Sequence, residues 1–243
     1  MSKVIKTLPK NCKFSTLSQL RAKVETQTVS QEPETPNLKI KQYQYGPLNE
    51  AQKAFLDRVI RVDQAGELGA NYIYAGQYFV LQHTRPELKD LLKHMWDQEI
   101  HHHNTFNKLQ VIRRVRPSLL TPVWRAGAFG IGITTALLGK EAAMACTVAV
   151  ETVIGGHYND QLRILMNKFQ IDAKDLNTGE IINGIESEEL NSLKKTIKEF
   201  RDDELEHLDT AVENDAEAAV PYWLLTEVIK GTCKLAIWTA ERV

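Results

Sequence analysis

Apolar residues recur every three or four positions along most of the chain from about residue 48 onward. The pattern runs through "AQKAFLDRVIRVDQAGELGANYIYAGQYFVLQH" and, after Pro86, through "ELKDLLKHMWDQEIHHHNTFNKLQVIRR". This spacing is typical of amphipathic helices that bury one face. It predicts two long helices joined by a short turn, with Pro86 at an early position of the second helix.

The helical period returns after a turn bracketed by Pro117 and Pro122. A long apolar stretch ends at "ILMNKF", a polar segment near residues 170–188 follows, and Ser187 then starts "SEELNSLKKTIKEFRDDELEHLD". Pro221 opens a last, short apolar helix. No run alternates with period two over enough residues to demand a strand. The predicted fold class is therefore all-α, a four-helix bundle with an additional short apolar C-terminal helix.

The first 46 residues depart from this pattern. Through residue 24 they carry six Lys or Arg and no Asp or Glu, with several Ser and Thr. A basic, hydroxyl-rich and acid-free segment is typical of a transit peptide, although Lys replaces the usual Arg, and a disordered tail without targeting function is the alternative. We predict a leader or disordered segment over 1–46 and one helical domain over 47–243.

Composition changes this picture little. The chain has 243 residues, 43% hydrophobic and 25% charged, which is ordinary for a globular protein. A net charge of −1 gives no electrostatic reason to expect a nucleic-acid partner. The three cysteines are far apart and form no CxxC pair, so neither a disulfide framework nor a structural zinc site is indicated.

The stretch "DQEIHHHNTF" places Glu99 just before three histidines. On a helix, His102 lies about 60° from Glu99, His103 about 40° away on the other side, and His101 about 160° off. Geometry therefore leaves His102 and His103 as alternatives for the face of Glu99. That face also carries core-type residues, namely Leu92, Met95, Trp96 and Phe106.

A second Glu-x-x-His pair, Glu204 with His207, follows in "FRDDELEHLD". Two further helices each turn one glutamate toward apolar neighbours, Glu67 in "DQAGELGANYIY" and Glu151 in "CTVAVETVIGGHY". One inward Glu on each of two helices and an inward Glu-x-x-His on each of the other two is the ligand set of a carboxylate-bridged two-metal bundle. For any one glutamate alone, a solvated helix face or an ion pair is the alternative.

The order Glu, Glu-x-x-His, Glu, Glu-x-x-His indicates a duplicated helical hairpin. Two divalent cations would neutralise the four converging carboxylates. Mixed oxygen and imidazole ligands favour iron, with manganese second. Asp63 or Asp203 could orient a ligand imidazole. Tyr158 could tune the metals, although a core tyrosine is the simpler interpretation.

Longer motifs connect this ligand set to a known family. "DRVIRVDQAGELGANYIYAGQ", "MWDQEIHHHNTF", "RVRPSLLTPVW", "TALLGKEAAMACTVAVE", "HYNDQLR" and "FRDDELEHLD" resemble the demethoxyubiquinone hydroxylases, mitochondrial di-iron enzymes of ubiquinone biosynthesis. The likeness runs from about residue 55 to the C-terminus. The resemblance implies His102 rather than His103. The iron ligands that it implies are Glu67, Glu99, His102, Glu151, Glu204 and His207.

The same resemblance implies a ferritin-like fold and the hydroxylation of a demethoxyubiquinone ring by O₂, with NADH as the ultimate electron source. It implies peripheral attachment to the matrix face of the mitochondrial inner membrane, and work beside other proteins of the ubiquinone pathway. The segment 170–188 is longer than in compact family members.

The chain itself carries a feature suited to a lipid substrate. "AGAFGIGITTALL" (126–138) is uncharged but too short to span a bilayer. It could lie at the membrane interface or line a channel for an isoprenoid tail, and tight helix packing through Gly127, Gly130 and Gly132 is the alternative. Two rival functions remain, an iron-storage ferroxidase and a quinone-binding assembly subunit without enzymatic activity.

Overall fold

The computed structural model describes residues 42–243. Most of the predicted leader, up to residue 41, lies outside the described residues, so its targeting role stays a prediction. The described part is one compact unit dominated by helices.

Six α-helices build the described part of the chain. The helix starts follow local sequence signals: Asn49 caps the first helix in a reciprocal capping box with Gln52, and Ser187 accepts a hydrogen bond from Leu190 N at the start of the fifth. The all-α bundle and the extra C-terminal helix are confirmed. The helices are α1 (Glu50–Thr84), α2 (Lys89–Arg113), α3 (Thr121–Leu137), α4 (Lys140–Lys168), α5 (Glu188–Glu213) and α6 (Tyr222–Ala240).

The long apolar stretch after Pro122 is two helices rather than one. The break between α3 and α4 lies at Gly139, whose φ of 124° belongs to the region that glycine adopts readily and other residues rarely do. The chain can therefore turn there, and α3 folds back as a separate element.

A small three-stranded antiparallel sheet was not expected from the sequence. Its strands are β1 (Tyr43–Tyr45), β2 (Ile171–Asp175) and β3 (Ile181–Ile185), in the order β1-β2-β3. The hairpin β2–β3 occupies the insert between α4 and α5, and Tyr45 pairs with Ala173. The sheet thus brings residues 43–45 into the folded part, ahead of the predicted boundary at residue 47.

The helices pack as two hairpins with one outer helix on each. α1 packs on α2, α4 packs on α5, α3 covers α1 and α6 covers α4. Two apolar clusters fill the bundle, one around Phe106, Phe200 and Leu165 and the other around Leu92, Met95 and Met144. The charged residues described below lie on the same helices, so the bundle buries a polar centre among apolar side chains.

One helix crossing in this arrangement depends on glycine. A Cβ at Gly132 of α3 would lie 2.1 Å from Ile73 O of α1, and a Cβ at Gly76 would lie 2.5 Å from Phe129 O. By contrast, a Cβ at Gly127 or Gly130 would meet no atom within 4 Å. Of the three glycines in the predicted packing stretch, Gly132 alone makes the close approach.

Candidate metal centre

The six residues predicted from the Glu and Glu-x-x-His pattern converge at the centre of the bundle. Each side chain is at most 1% exposed. Their ligand atoms form two overlapping groups that could each hold a metal ion, with the atoms of each group within 4.8 Å of one another. The first group is Glu67, Glu99, His102 and Glu204, and the second is Glu99, Glu151, Glu204 and His207.

Glu99 and Glu204 belong to both groups. Each comes from a Glu-x-x-His pair, on α2 and α5 respectively, whereas Glu67 of α1 and Glu151 of α4 belong to one group each. The arrangement therefore has two shared carboxylates at its middle and one unshared carboxylate with one imidazole at each end.

The structure distinguishes between the three consecutive histidines. His102 is fully buried and its Nδ1 lies 3.1 Å from Glu204 Oε1. His101 is exposed, and His103 lies beside Asn107, with 3.2 Å from Asn107 Nδ2 to its Nε2. Only His102 of the three has its ring in the carboxylate cluster.

Each buried imidazole has a partner for its second nitrogen. His102 Nε2 donates to Asp203 Oδ2 at 3.0 Å, and His207 Nε2 donates to Gln98 Oε1 at 3.0 Å. These contacts fix which nitrogen faces the carboxylates, as partners of metal-bound histidines do. The pairing is reciprocal between the two helices. Asp203, directly before Glu204 on α5, bonds to His102 of α2, and Gln98, directly before Glu99 on α2, bonds to His207 of α5.

Asp203 was one of two sequence candidates for this role, and the other, Asp63, does not contact either imidazole. Asp63 instead accepts a hydrogen bond from Gln161 and lies 3.7 Å from His157. The role of Gln98 was not predicted from the sequence. Its position directly before Glu99 matches that of Asp203 before Glu204, and this internal repeat was the signal that could have found it.

Two tyrosines repeat the same symmetry. Tyr74 donates to Glu151 Oε1 at 3.0 Å, and Tyr158 donates to Glu67 Oε1. Tyr74 lies seven residues after Glu67 on α1 and bonds to Glu151 on α4. Tyr158 lies seven residues after Glu151 on α4 and bonds to Glu67 on α1. Both hydroxyls are buried, so they hold one oxygen of each carboxylate and leave the other oxygen for the centre of the site.

Burial and mutual repulsion disturb the ionisation of the cluster. Burial, reinforced by the Glu204 carboxylate, raises the pKa of Glu99 to about 8. Burial would also raise the pKa of Glu204, but hydrogen bonds from His102 and His207 lower it to about 2. For His207, burial acts to lower the pKa, and its bonds to Glu204 and Glu99 outweigh this and raise the pKa to about 11. Protons thus hold together a cluster of acids that would otherwise repel.

These residues fit a pair of divalent metal ions. Glu99 Oε2 and Glu151 Oε2 are buried without a hydrogen-bond partner among residues 42–243, which is costly for a carboxylate. Two cations would satisfy such oxygens and balance four carboxylate charges. A set of four carboxylates and two imidazoles is chemically suited to iron or manganese rather than to calcium or magnesium, which avoid imidazole.

Loss of either outer partner is expected to weaken metal binding without unfolding the bundle. Asp203→Ala or Gln98→Ala frees one imidazole to rotate, and such changes typically cost 10- to 100-fold in metal affinity or activity. Competition of the purified variants with a chelator measures the change in affinity. Asp202→Ala is the matched control, since Asp202 is exposed on the same helix and pairs with Arg201. Equal affinity in all three variants would contradict the orienting role.

An apolar cavity of about 390 Å³ reaches this centre. Glu67 and Tyr158 form part of its wall, and the rest comes mainly from apolar residues of α1, α3, α4 and α6. The segment 126–138 contributes Gly127, Ala128 and Ile131 to it. The same segment therefore packs against α1 through Gly132 and also lines a cavity, whereas its predicted role as a channel for an isoprenoid tail stays a prediction.

A family model described as "Ubiquinone biosynthesis protein COQ7" matches residues 54–240 of the chain. This range includes all six clustered residues and both outer partners of the imidazoles.

Named proteins from three organisms are similar to the chain. The 5-demethoxyubiquinone hydroxylase, mitochondrial, of Saccharomyces cerevisiae is 59% identical over 247 aligned residues that cover 100% of both chains. The NADPH-dependent 3-demethoxyubiquinone 3-hydroxylase, mitochondrial, of Mus musculus is 46% identical over 80% of this chain and 81% of its own. The 3-demethoxyubiquinol 3-hydroxylase of Rhodospirillum rubrum is 44% identical over 81% and 82%.

Proposed function

The chain belongs to the ubiquinone biosynthesis protein COQ7 family and is a demethoxyubiquinone hydroxylase of ubiquinone biosynthesis, and we propose that it oxygenates the quinone ring with O₂ at two iron ions. The observation that carries this proposal is the pair of overlapping four-residue groups that share Glu99 and Glu204. In this assignment, Glu67 and His102 would hold one ion, Glu151 and His207 would hold the other, and Glu99 and Glu204 would contribute to both.

The protein's own groups prepare the site for this chemistry. The protein would rely on bound, reduced iron to activate O₂, since O₂ does not react readily with a ring carbon by itself. Asp203 and Gln98 hold the imidazoles in one orientation, and Tyr74 and Tyr158 hold the unshared carboxylates. The two apolar clusters keep water away from the centre, which strengthens these contacts and limits side reactions.

The cavity is the binding site that we assign to the substrate ring. It is lined mostly by apolar side chains, as expected for a ring with an isoprenoid tail, and it reaches Glu67 of the metal centre. Ile131 of α3 and Ile237 of α6 lie on its wall, so the tail would leave between these two outer helices.

Oxygen labelling tests the proposed reaction directly. Purified protein loaded with iron, given a short-tailed demethoxyubiquinone, a reduced nicotinamide cofactor and ¹⁸O₂, is expected to place one ¹⁸O atom in a new ring hydroxyl detected by mass spectrometry. Metal-free protein should form no product. Unlabelled product from ¹⁸O₂, or product formed without metal, would contradict the proposal. Iron uptake without any ring product would instead favour iron storage.

The identity of the nicotinamide cofactor needs the same assay. The sequence resemblance implies NADH, whereas the name of the mouse relative specifies NADPH. A comparison of the two cofactors at equal concentration assigns the reductant of this chain. We keep NADH as the proposed electron source.

We also propose that the protein attaches to the matrix face of the mitochondrial inner membrane. The yeast and mouse relatives are named as mitochondrial. Within residues 42–243, no helix combines the length and apolarity needed to cross a bilayer. The helices that flank the cavity nevertheless expose large apolar side chains, among them Val123 on α3 and Leu235 and Trp238 on α6. Such a surface suits insertion into one leaflet.

Removal of these side chains is expected to weaken binding to lipid vesicles. A Leu235→Ser, Trp238→Ser double variant should lose about tenfold or more in partitioning onto phosphatidylcholine vesicles, because two apolar contacts with lipid are lost. Co-sedimentation measures the bound fraction. Ile181→Ser is the matched control, since Ile181 is 71% exposed but lies on β3 of the sheet. An equal loss in both proteins would contradict a specific membrane face.

The remaining parts of the cellular proposal rest on the family. The basic N-terminal segment ahead of β1 would act as a transit peptide, and other ubiquinone-biosynthesis proteins would be partners of the enzyme. Expression of the full chain and of a variant that lacks residues 2–41, followed by mitochondrial fractionation, tests the first of these. Unchanged import of the shortened chain would overturn it.

A further inference from the structure

Asp63 is a buried carboxyl group outside the metal centre, on the wall of the apolar cavity. It lies on α1, one turn before Glu67, and is 3% exposed. Its Oδ1 accepts a hydrogen bond from Gln161 Nε2 at 2.6 Å. Its Oδ2 is buried and has no hydrogen-bond partner in the described part of the chain.

Several other polar groups on the cavity wall are already bonded within the protein. Thr232 and Thr239 donate to carbonyl oxygens of their own helix, Trp124 donates to Ser118, and Tyr158 donates to Glu67. Buried atoms left without a partner at this wall include Asp63 Oδ2 and His157 Nε2. A ligand that is apolar over most of its surface and carries a few oxygen atoms would satisfy them.

The environment favours the neutral form of the Asp63 carboxyl. Burial raises its pKa well above the ordinary value, the bond from Gln161 opposes this shift and the Glu67 carboxylate adds to it. Because the Gln161 amide donates to Oδ1, the proton of a neutral carboxyl belongs on Oδ2. The group then offers one O–H donor at the cavity wall.

His157 closes the site toward the surface. Its Nε2 lies 3.7 Å from Asp63 Oδ1, and its ring lines both the apolar cavity and a separate outer pocket that Arg58 and Glu241 also border. Burial lowers the pKa of His157, so its imidazole is neutral at physiological pH. An uncharged ring at this position separates Asp63 from solvent without supplying a cation that would ionise it.

We propose that Asp63 is the anchor for a ring oxygen of the quinone substrate, with its Oδ2–H donating to that oxygen and Gln161 holding the carboxyl in place. The inference rests on the proposed function, since it assigns the orientation of the ring in the same cavity. Asp63 lies one helix turn from Glu67. A hydrogen bond from Asp63 to one ring oxygen would therefore hold the ring with one particular edge toward the metals. Asp63 is thus a positioning residue, distinct from the metal ligands.

Binding of two matched probes tests the anchor. The first probe is a demethoxyubiquinone with a two-unit isoprenoid tail. The second is the same molecule with both ring oxygens replaced by hydrogen and with its methoxy, methyl and tail groups retained. Iron-loaded protein under argon should bind the first probe about 3- to 10-fold more tightly than the second, the value of one buried hydrogen bond. In Asp63→Ala this ratio should fall below about twofold.

Two further variants separate the anchor from a structural role. Asp63→Asn keeps an acceptor for Gln161 and places an N–H donor where Oδ2–H lies, so it should retain the wild-type ratio. Ile131→Ala enlarges the same cavity and should weaken both probes by a similar factor. If Asp63→Ala keeps the wild-type ratio of the two affinities, or if Asp63→Asn loses it, the anchor is overturned and the hydroxylase function is unaffected. Wild-type protein that binds neither probe would overturn both.

Discussion

Glu204→Ala is expected to remove bound iron and hydroxylation together. Glu204 belongs to both metal groups, and its two oxygens lie 3.1 Å from the Nδ1 atoms of His102 and His207. Without it, each group loses one of its two shared carboxylates and keeps only that of Glu99. We expect the iron content to fall from two per chain to below one and the hydroxylation rate to fall more than about 100-fold, beyond the usual effect of an outer partner.

A comparison within the cluster sharpens this test. Glu151→Ala removes a carboxylate from one group only, so it should also abolish hydroxylation but retain up to one iron per chain. Glu206→Ala, at an exposed position of α5, is the control and should keep both iron ions and full activity. Iron analysis beside the labelling assay measures both quantities, with circular dichroism as the check on folding. An active, iron-free Glu204→Ala protein would refute the assignment of the site.

The second large effect is expected at the crossing of α1 and α3. Gly132→Ala places a methyl group 2.1 Å from Ile73 O, a distance that only a shift of the helix backbones can relieve. Overpacking of this kind typically lowers the free energy of unfolding by about 1 to 3 kcal/mol. Because the methyl group would meet backbone atoms, we expect a loss of about 3 kcal/mol or more. For a chain of this size, the thermal midpoint should fall by about 6 to 12 °C.

Gly130 provides the matched control for that substitution. It lies on the same helix, is exposed, and a Cβ there would meet no atom within 4 Å. Gly130→Ala should therefore stabilise the protein by about 0.5 to 1 kcal/mol, because alanine loses less backbone entropy than glycine in a helix. Thermal unfolding of both variants measures the contrast. Equal midpoints would show that α3 does not pack on α1 through Gly132.

The helical architecture and five of the six clustered residues could be predicted from local periodicity, whereas the choice of His102 over His103 came from the family resemblance. A helix repeats every 3.6 residues, so the spacing of Glu99 and His102 already places them on one face beside Leu92 and Phe106. When four helices each bury an apolar face that carries a glutamate, every buried carboxylate needs a partner. Convergence of the four carboxylates on a pair of metal ions gives each of them one.

The features that local sequence patterns did not predict depend on contacts between distant segments. The strand Tyr43–Tyr45 pairs with residues about 130 positions later, and strands of three and five residues are too short to show a period of two. Gln98 faces His207 only because α2 and α5 lie side by side. The break at Gly139 was likewise hidden, since α3 and α4 are both apolar and helical.

Local periodicity predicted the helical class of this protein, the four helices that each bury a glutamate, and a carboxylate–imidazole cluster suited to metal ions, because these follow from spacing along single helices. The folded structure was needed to show which glutamates are shared between the two groups, which residues hold the imidazoles, and that Asp63 faces a cavity rather than His102 or His207. Those properties depend on the relative rotation and distance of whole helices. Helix packing sets them, through close approaches such as that of Gly132 to Ile73, and no local pattern records them.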